Sequence, residues 1–366
     1  MSTSTNKIQF NTQSDFYREL IRNVNDYFKA NNISKYGNRR MIIKTICMFA
    51  FYFAPFSLLF LDFGFGLWSV LVLYALMGIG KSGIGLSVMH DANHNSFSKN
   101  QKVNKWMSYS MNIVGGSSIN WKIQHNVLHH TFTNVHGHDE DINAPFILRF
   151  SPHQKYYLIH KFQFIYSWFF YGFLTLGWIM YQDYGQLIGY NKRGLLKSQK
   201  TTFSKEFTIL ILTKISYLAY IIALPMIFGP AVWWSYLVGF AIMHYVAGFI
   251  LSIIFQPAHV IEETEFPLTD ESGKLATGWA EHQLMTTCNF ARNSRIFSWF
   301  VGGLNFQVEH HLFPNICHVH YPGISAIVKA TAEKFNLPYY SQRTFLSALV
   351  AHGKMLYRLG NPKLAT

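Results

Sequence analysis

Four long apolar runs, arranged as two close pairs, constrain this chain more than anything else in it. A helix crossing a bilayer needs about 20 consecutive, mostly apolar residues. Residues 43 to 63 and 67 to 88 form one pair, joined through Phe63-Gly64-Phe65-Gly66; 208 to 228 and 232 to 255 form the other, joined through Gly229-Pro230-Ala231. Such short connections make each pair a hairpin, so the chain leaves on the side from which it came. Trp233 and Trp234 rim the second hairpin, at the depth interfacial tryptophans prefer. Lys81 is the anomaly, a charge inside the second run that either snorkels to the surface or marks an earlier end of the span.

Composition agrees with a membrane protein: charged residues are only 13% of the chain and hydrophobic ones 50%, against about 25% charged in soluble domains. The formal charge of +13 comes from Lys and Arg spread between the apolar runs, with no basic patch to hold nucleic acid. Arg39 and Arg40 precede the first hairpin, and Lys192, Arg193, Lys197, Lys200 and Lys205 precede the second. By the positive-inside bias the segments leading into the two hairpins, and with them both termini, belong in the cytoplasm. Cys47, Cys288 and Cys317 are an odd number without a CxxC pair, which leaves apolar packing as their expected role.

Residues 1 to 15 are polar, lack a signal-peptide hydrophobic region and are expected to be loosely ordered. Phe16, Leu20, Ile21, Val24 and Phe28 recur at helical spacing among charges, as in amphipathic helices that lie on a membrane surface. The stretch 164 to 181 is apolar and aromatic, but His160, Lys161 and Gln163 interrupt its approach. The expected fold is an all-α integral membrane protein, with four transmembrane helices in two hairpins and a cytosolic helical cap. Residues 1–40 form a cytosolic N-terminal segment, 41–320 the central domain and 321–366 a C-terminal cytosolic helical segment, with amphipathic pieces at Ile324 to Phe335 and Thr344 to Leu359.

The chemistry lies in the histidines. His90 and His94 are four apart, as are His125 and His129, so on helices each pair projects from one face. His130 adjoins the second pair, His259 follows the fourth run, and His310 and His311 form a third cluster. A lone histidine is ordinarily a satisfied core or surface residue; clusters at this spacing are not. To build one site they must share one side of the membrane. Four crossings achieve this and a fifth at 164 to 181 would prevent it, so that stretch is expected in the interface.

Eight imidazoles are too many for one zinc ion, whose catalytic sites commonly use three protein ligands. Two ions with about four ligands each fit the count better, with Gln307 as a further oxygen donor on the helix face of His310 and His311. Imidazole suits zinc, copper, iron and nickel alike. A site opening towards lipid chains acts on a substrate with no polar handle at the reacting carbon. Breaking such a C–H bond requires a redox metal and oxygen, which favours iron. Neutral imidazoles leave the metal charge uncompensated, and Asp91, Asp139, Asp141, Glu262 and Glu309 are placed to offset it and orient the rings. Otherwise each of these is a solvated carboxylate. Asn120, Trp121 and His282 are weaker candidates for lining a substrate channel, and His136 and His138 for ligation. His153, His160, His244, His318, His320 and His352 read as ordinary packing or surface residues.

The segments HDANH, HNVLHH and QVEHHLFP, in this order around two hydrophobic hairpins and within about 40 to 320, resemble the three histidine boxes of the membrane-bound fatty acyl desaturases. The family pattern falls on His90 and His94, on His125, His129 and His130, and on Gln307, His310 and His311. His259 matches the isolated histidine that completes the family's di-iron ligand set. The resemblance implies two Fe ions and O2-dependent removal of two hydrogens from the chain of a fatty acyl-CoA or acyl-lipid, leaving a cis double bond. Two electrons per turnover would come from an external donor, a cytochrome b5 or ferredoxin. A third box beginning with Gln is similar to the front-end class, linoleoyl-CoA desaturases among them, which places a new bond between an existing one and the carboxyl end. The His-Pro-Gly-Gly mark of a fused cytochrome b5 domain is absent, which implies a separate donor. The rival readings are a hydroxylase or ketolase on the same scaffold, a membrane zinc hydrolase and a metal transporter. Transport is disfavoured because nearly all the histidines lie outside the apolar runs.

Overall fold

A computed structural model describes residues 8–11, 14–64, 66–143 and 146–362, so most of the stretch expected to be loosely ordered lies outside the described residues. Four helices are long and apolar enough to cross a membrane: Arg39–Leu58, Leu67–Asn93, Phe203–Phe228 and Trp233–His259. They match the four runs, although the first and third begin earlier, the first stops at Leu58, and the second and fourth continue to Asn93 and His259. Asn38 caps the first, its side chain accepting from the Arg40 amide at 2.9 Å, which starts the helix ahead of its apolar part. The second continues through a π-helical stretch, Ile84–Met89, so His90 lies in its last turn rather than beyond it. The fourth likewise ends on His259. The extensions at His90–Asn93 and His259 are buried in protein, where polar side chains find partners that lipid does not offer.

The second helix is the axis of the bundle, packed between the first and the fourth at small residues that let backbones approach. A Cβ on Gly78 would stand 2.7 Å from the Met243 carbonyl oxygen, and one on Gly80 2.6 Å from the Phe51 carbonyl carbon. Met48, Tyr52, Tyr74, Met77, Tyr217, Tyr236 and Met243 fill the shared core. On the outer faces Ile46, Leu212 and Ile215 stand exposed, a pattern hydrocarbon tolerates and water does not. Lys81 neither snorkels nor ends the span. It is buried, and its Nζ donates to the Val114 carbonyl at 2.6 Å and lies 3.3 Å from His244 Nδ1.

The ambiguous stretch 164 to 181 forms two helices, Leu158–Tyr171 and Leu174–Lys192, bent by 68° at their junction. The N-terminal helix Asp15–Ala30 differs from the surface-lying helix its pattern suggests. Phe16, Leu20 and Val24 are covered by Ile324, Val328 and Ala332 of the helix Tyr321–Lys334, so its apolar stripe faces protein. A parallel pair of strands, Cys288–Phe290 with Tyr340–Gln342, ties the region behind the third histidine cluster to the C-terminal helix Phe345–Gly360.

Arg149 anchors that last helix. Its buried guanidinium donates to the carbonyls of Leu359 at 2.6 Å, Gln154 at 2.9 Å and Pro152. Replacing it with Met leaves these acceptors unmatched, and we expect a loss of about 3 kcal/mol, read as a lowered thermal midpoint in detergent.

Candidate metal centre

Each histidine cluster is presented by a helix, and at the first two boxes that helix departs from the regular α form. The second box lies in a π-helical stretch, Lys122–His129, directly after the short helix Ser118–Trp121. The wider i→i+5 winding lets residues four and five along both meet the first. The His125 ring accordingly lies 5.2 Å from that of His129 and 4.6 Å from that of His130. The first box stands at the end of the second long helix, the third on the short helix Gln307–Leu312, and His259 closes the fourth long helix.

The eight imidazoles converge on two adjoining points. Ligand-capable atoms of His90, His94, His125 and His310 lie within 4.8 Å of one another, as do those of His129, His259 and His311; His130 forms a third such group with His310 and His311. The Nε2 atoms of His125, His130 and His310 are 2.9, 3.1 and 3.4 Å apart. Bonds of about 2.0–2.1 Å to one ion would set nitrogens roughly 3.3 Å apart.

The outward nitrogens are held by the surrounding protein. His129 Nδ1 meets Asp139 at 3.0 Å, His259 Nδ1 the Thr286 carbonyl at 3.1 Å, His311 Nδ1 the Gln283 side-chain oxygen at 2.9 Å and His310 Nδ1 the Tyr321 hydroxyl at 3.1 Å. The inward Nε2 atoms of His90, His94, His259 and His311 are buried without a hydrogen-bond partner. Buried polar atoms normally have one. Orphaned lone pairs turned to a common point, with the far sides of His259 and His311 fixed by a carbonyl and an amide oxygen, fit a metal ligand set. The donor set is all imidazole, compatible with iron.

Electrostatics favour the same use. Burial pushes His125, His130, His310 and His311 well below the ordinary histidine range, and neighbouring imidazoles push them further, so they stand neutral. Burial acts the same way on His129, but Asp139 and Asp141 outweigh it and hold this ring at about 9. A raised value means the His129–carboxylate pairing stabilises the metal-free fold fully below the ordinary 6.5 and loses that contribution as pH rises through about 9. Metal binding must displace the same proton. We expect Fe(II) added to metal-free protein at neutral pH to release protons to a weakly buffered indicator. The thermal midpoint of the metal-free form alone should fall across that pH interval.

Among the acids, Asp139 and Asp141 face His129, and Asp141 also stands 3.6 Å from His125 Nδ1. Asp91 lies 3.8 Å from His90 Nδ1 but is gripped mainly by His318, whose Nδ1 is 2.8 Å away, and by the Cys317 thiol at 2.9 Å. Cys317 is therefore a hydrogen-bond donor rather than mere packing. Although Asp91, Cys317 and His318 could themselves group around an ion, the Lys44 ammonium stands 2.6 Å from His318 Nε2 and supplies the positive charge there.

Two acids lie elsewhere. Glu262 pairs with Arg358, and Glu309 accepts from Asn289 and Tyr339 because its side chain leaves the helix on the face away from the rings. Gln307 is buried, its amide donating to the Leu304 carbonyl. His282 is bonded to the Thr133 carbonyl and packed on Phe10; His136 and His138 are exposed. Gln283, Tyr321 and His318 are not among the sequence candidates, since no periodic signal points to them.

From His125, His129 and His259 a cavity of about 520 Å³ runs between the fourth long helix and the bent helix pair, within the usual 300–1,000 Å³ of small-molecule pockets. Trp121, Ile147, Leu148, Phe170, Tyr171, Phe173, Leu174, Trp178 and Phe255 give it a mainly apolar and aromatic wall, with Gln124, Asp141, Gln182 and Gln256 as polar points. Trp121 also packs against His125 at 4.4 Å and His90 at 5.3 Å. Asn120 turns instead to the Asp183 carbonyl.

Comparison with known proteins adds an independent finding. The family model for fatty acid desaturase matches residues 65–343. The chain is 36% identical to an sn-1 linoleoyl-lipid 6-desaturase of Arthrospira platensis, covering 99% of this chain and 98% of that protein. It is 35% identical to a protein of the same description from Synechocystis sp., covering 97% and 98%. An acyl-lipid (8-3)-desaturase of Physcomitrium patens is 37% identical over 94% of this chain and 72% of that protein.

Proposed function

The chain belongs to the fatty acid desaturase family, and from that premise we propose that it introduces a cis double bond into the acyl chain of a membrane lipid, on the carboxyl side of an existing double bond. The protein is an oxidoreductase of lipid metabolism and an integral membrane protein. The observation that carries the finer reading is the continuity of an aromatic-walled cavity with the histidine clusters.

In this reading His90, His94, His125 and His310 hold one iron and His129, His259 and His311 the other, with His130 between them. Bound iron supplies the activation of O2 needed to take hydrogen from an unactivated C–H bond. The protein's own part is positional. Asp139, Gln283, Tyr321 and the Thr286 carbonyl lock the rings in ligating orientation, and Trp121 presses the chain against the His125 side. Aromatic walls exclude water, and the external donor, a cytochrome b5 or ferredoxin, reaches the centre from the cytosolic face. Both hairpins return the chain to that face, and the region after His259 caps it. Gln307 stays an optional ligand at the edge of the set. The bent pair Leu158–Tyr171 and Leu174–Lys192 lies in the interface. Its outer side chains Leu158, Phe162, Phe169, Phe173 and Tyr181 are exposed, so the cavity is bounded towards lipid. This supports an acyl-lipid substrate arriving from the bilayer over a soluble thioester.

The test is expression in a host of known fatty-acid profile supplied with linoleate, followed by mass spectrometry of intact lipids. Desaturation gives a product lighter by one H2. A product heavier by one oxygen atom would replace this reading with hydroxylation, and purified protein holding one zinc and no iron would replace it with hydrolysis.

A further inference from the structure

We propose that Lys214, with Asp183 and Lys81, is a positioning device that sets which carbon of the acyl chain faces the histidine clusters; this rests on the reading of the cavity as the acyl site. Charged groups within membrane-spanning protein are costly and mark function by default. Lys81, Asp183 and Lys214 are all buried, at 5%, 3% and 3% exposure.

Their first task is local. The short helix Ser110–Ile113 ends at a turn where Gly115 has φ +89°, and its closing carbonyls need donors that lipid cannot give. Three side chains supply them in order: Tyr220 to Ile113, Lys81 to Val114 at 2.6 Å and Lys214 to Gly115 at 2.7 Å.

Their second task joins two cavity walls. Lys214 Nζ also donates to the Trp178 carbonyl at 3.3 Å and pairs with the Asp183 carboxylate, while the Asp183 carbonyl accepts from Asn120 at 2.7 Å. Lys214 thereby ties the segment ending in Trp121 to the segment beginning at Trp178. Both tryptophans line the cavity, and Trp121 rests on His125. Capping alone does not require the Asp183 pair, and well-packed apolar residues would fill the space at no greater cost. What the charged clamp adds is a fixed gap between the two indoles, hence a fixed register for a chain threaded through it.

The test uses the full-length enzyme in host membranes supplied with linoleate, with the double bond located by mass spectrometry and iron measured on protein purified in detergent. Lys214→Met/Asp183→Leu removes both charges without stranding either. The expected result is folded protein with wild-type iron content and a thermal midpoint lowered by the loss of the Gly115 cap, a loss of about tenfold or more in product at the native position, and a new isomer displaced along the chain. Lys214→Arg, which keeps the pair, should restore most of the native isomer. An iron-replete double variant that makes only the native isomer at the wild-type rate overturns the proposal. So does a double variant that never yields folded, iron-loaded protein, since the clamp would then serve the fold and not the register. A wild-type protein that forms no double bond removes the acyl-site reading itself, a failure distinct from unchanged regiochemistry.

Discussion

His310→Ala should abolish double-bond formation, lowering product by about 10³-fold or more, while the protein still inserts in the membrane. This imidazole occupies the middle of the set: its Nε2 is 2.9 Å from that of His130 and 3.4 Å from that of His125, and its ring packs on His90 at 4.5 Å and His94 at 4.9 Å. It also belongs to two of the groups able to hold an ion. The alanine variant loses one of about four ligands at its ion and leaves a void against the Tyr321 hydroxyl. Such a change exceeds the 10–100-fold typical of outer-shell mutations. Iron analysis on purified protein should show at least half the metal gone. Full iron content with full turnover would remove His310 from the centre.

Gly177→Phe should lower kcat/KM by about 10²-fold with iron content unchanged. Gly177 lines the cavity, and a Cβ placed there would meet the Tyr181 hydroxyl at 3.5 Å and the Gln182 side chain at 3.8 Å, ordinary contacts that leave the backbone undisturbed. A benzyl group continuing from that Cβ occupies space that the acyl chain needs. The two variants are complementary: one empties the centre, the other blocks the approach to it. Unimpaired turnover by Gly177→Phe would mean that substrate does not use this cavity.

The spans are legible in the chain because an apolar run of sufficient length has few alternatives, and each of the four lies within a few residues of its expected limits. Their ends are not legible. Asp91 and Asn93 look like the start of a loop, yet they lie in the last buried turn of a helix, where the Asp91 carboxylate meets His318 and the Asn93 backbone carbonyl accepts from Asn126, both more than 30 residues away. The histidines declare themselves by spacing. Spacing alone suggests regular α-helix, whereas the second box is π-helical, which is how His129 and His130 both come to face His125. The supporting groups divide by sequence distance. Asp139, ten residues from His129, lies within reach of inspection; Gln283 and Tyr321 depend on how distant segments fold together, and no local pattern announces them. Lys81, an anomaly by hydropathy, is explained by Val114 and His244, neither of which is near it in the chain.

The outward nitrogens of His129, His259, His310 and His311 are tethered to three separate parts of the chain: Asp139, the helix that carries Gln283 and Thr286, and Tyr321. Such a cage owes its shape to its surroundings rather than to its contents, unlike small zinc modules that collapse when stripped. Loading can therefore come last, after insertion and folding are finished. A stripped enzyme should be revivable by adding ferrous ion, without refolding.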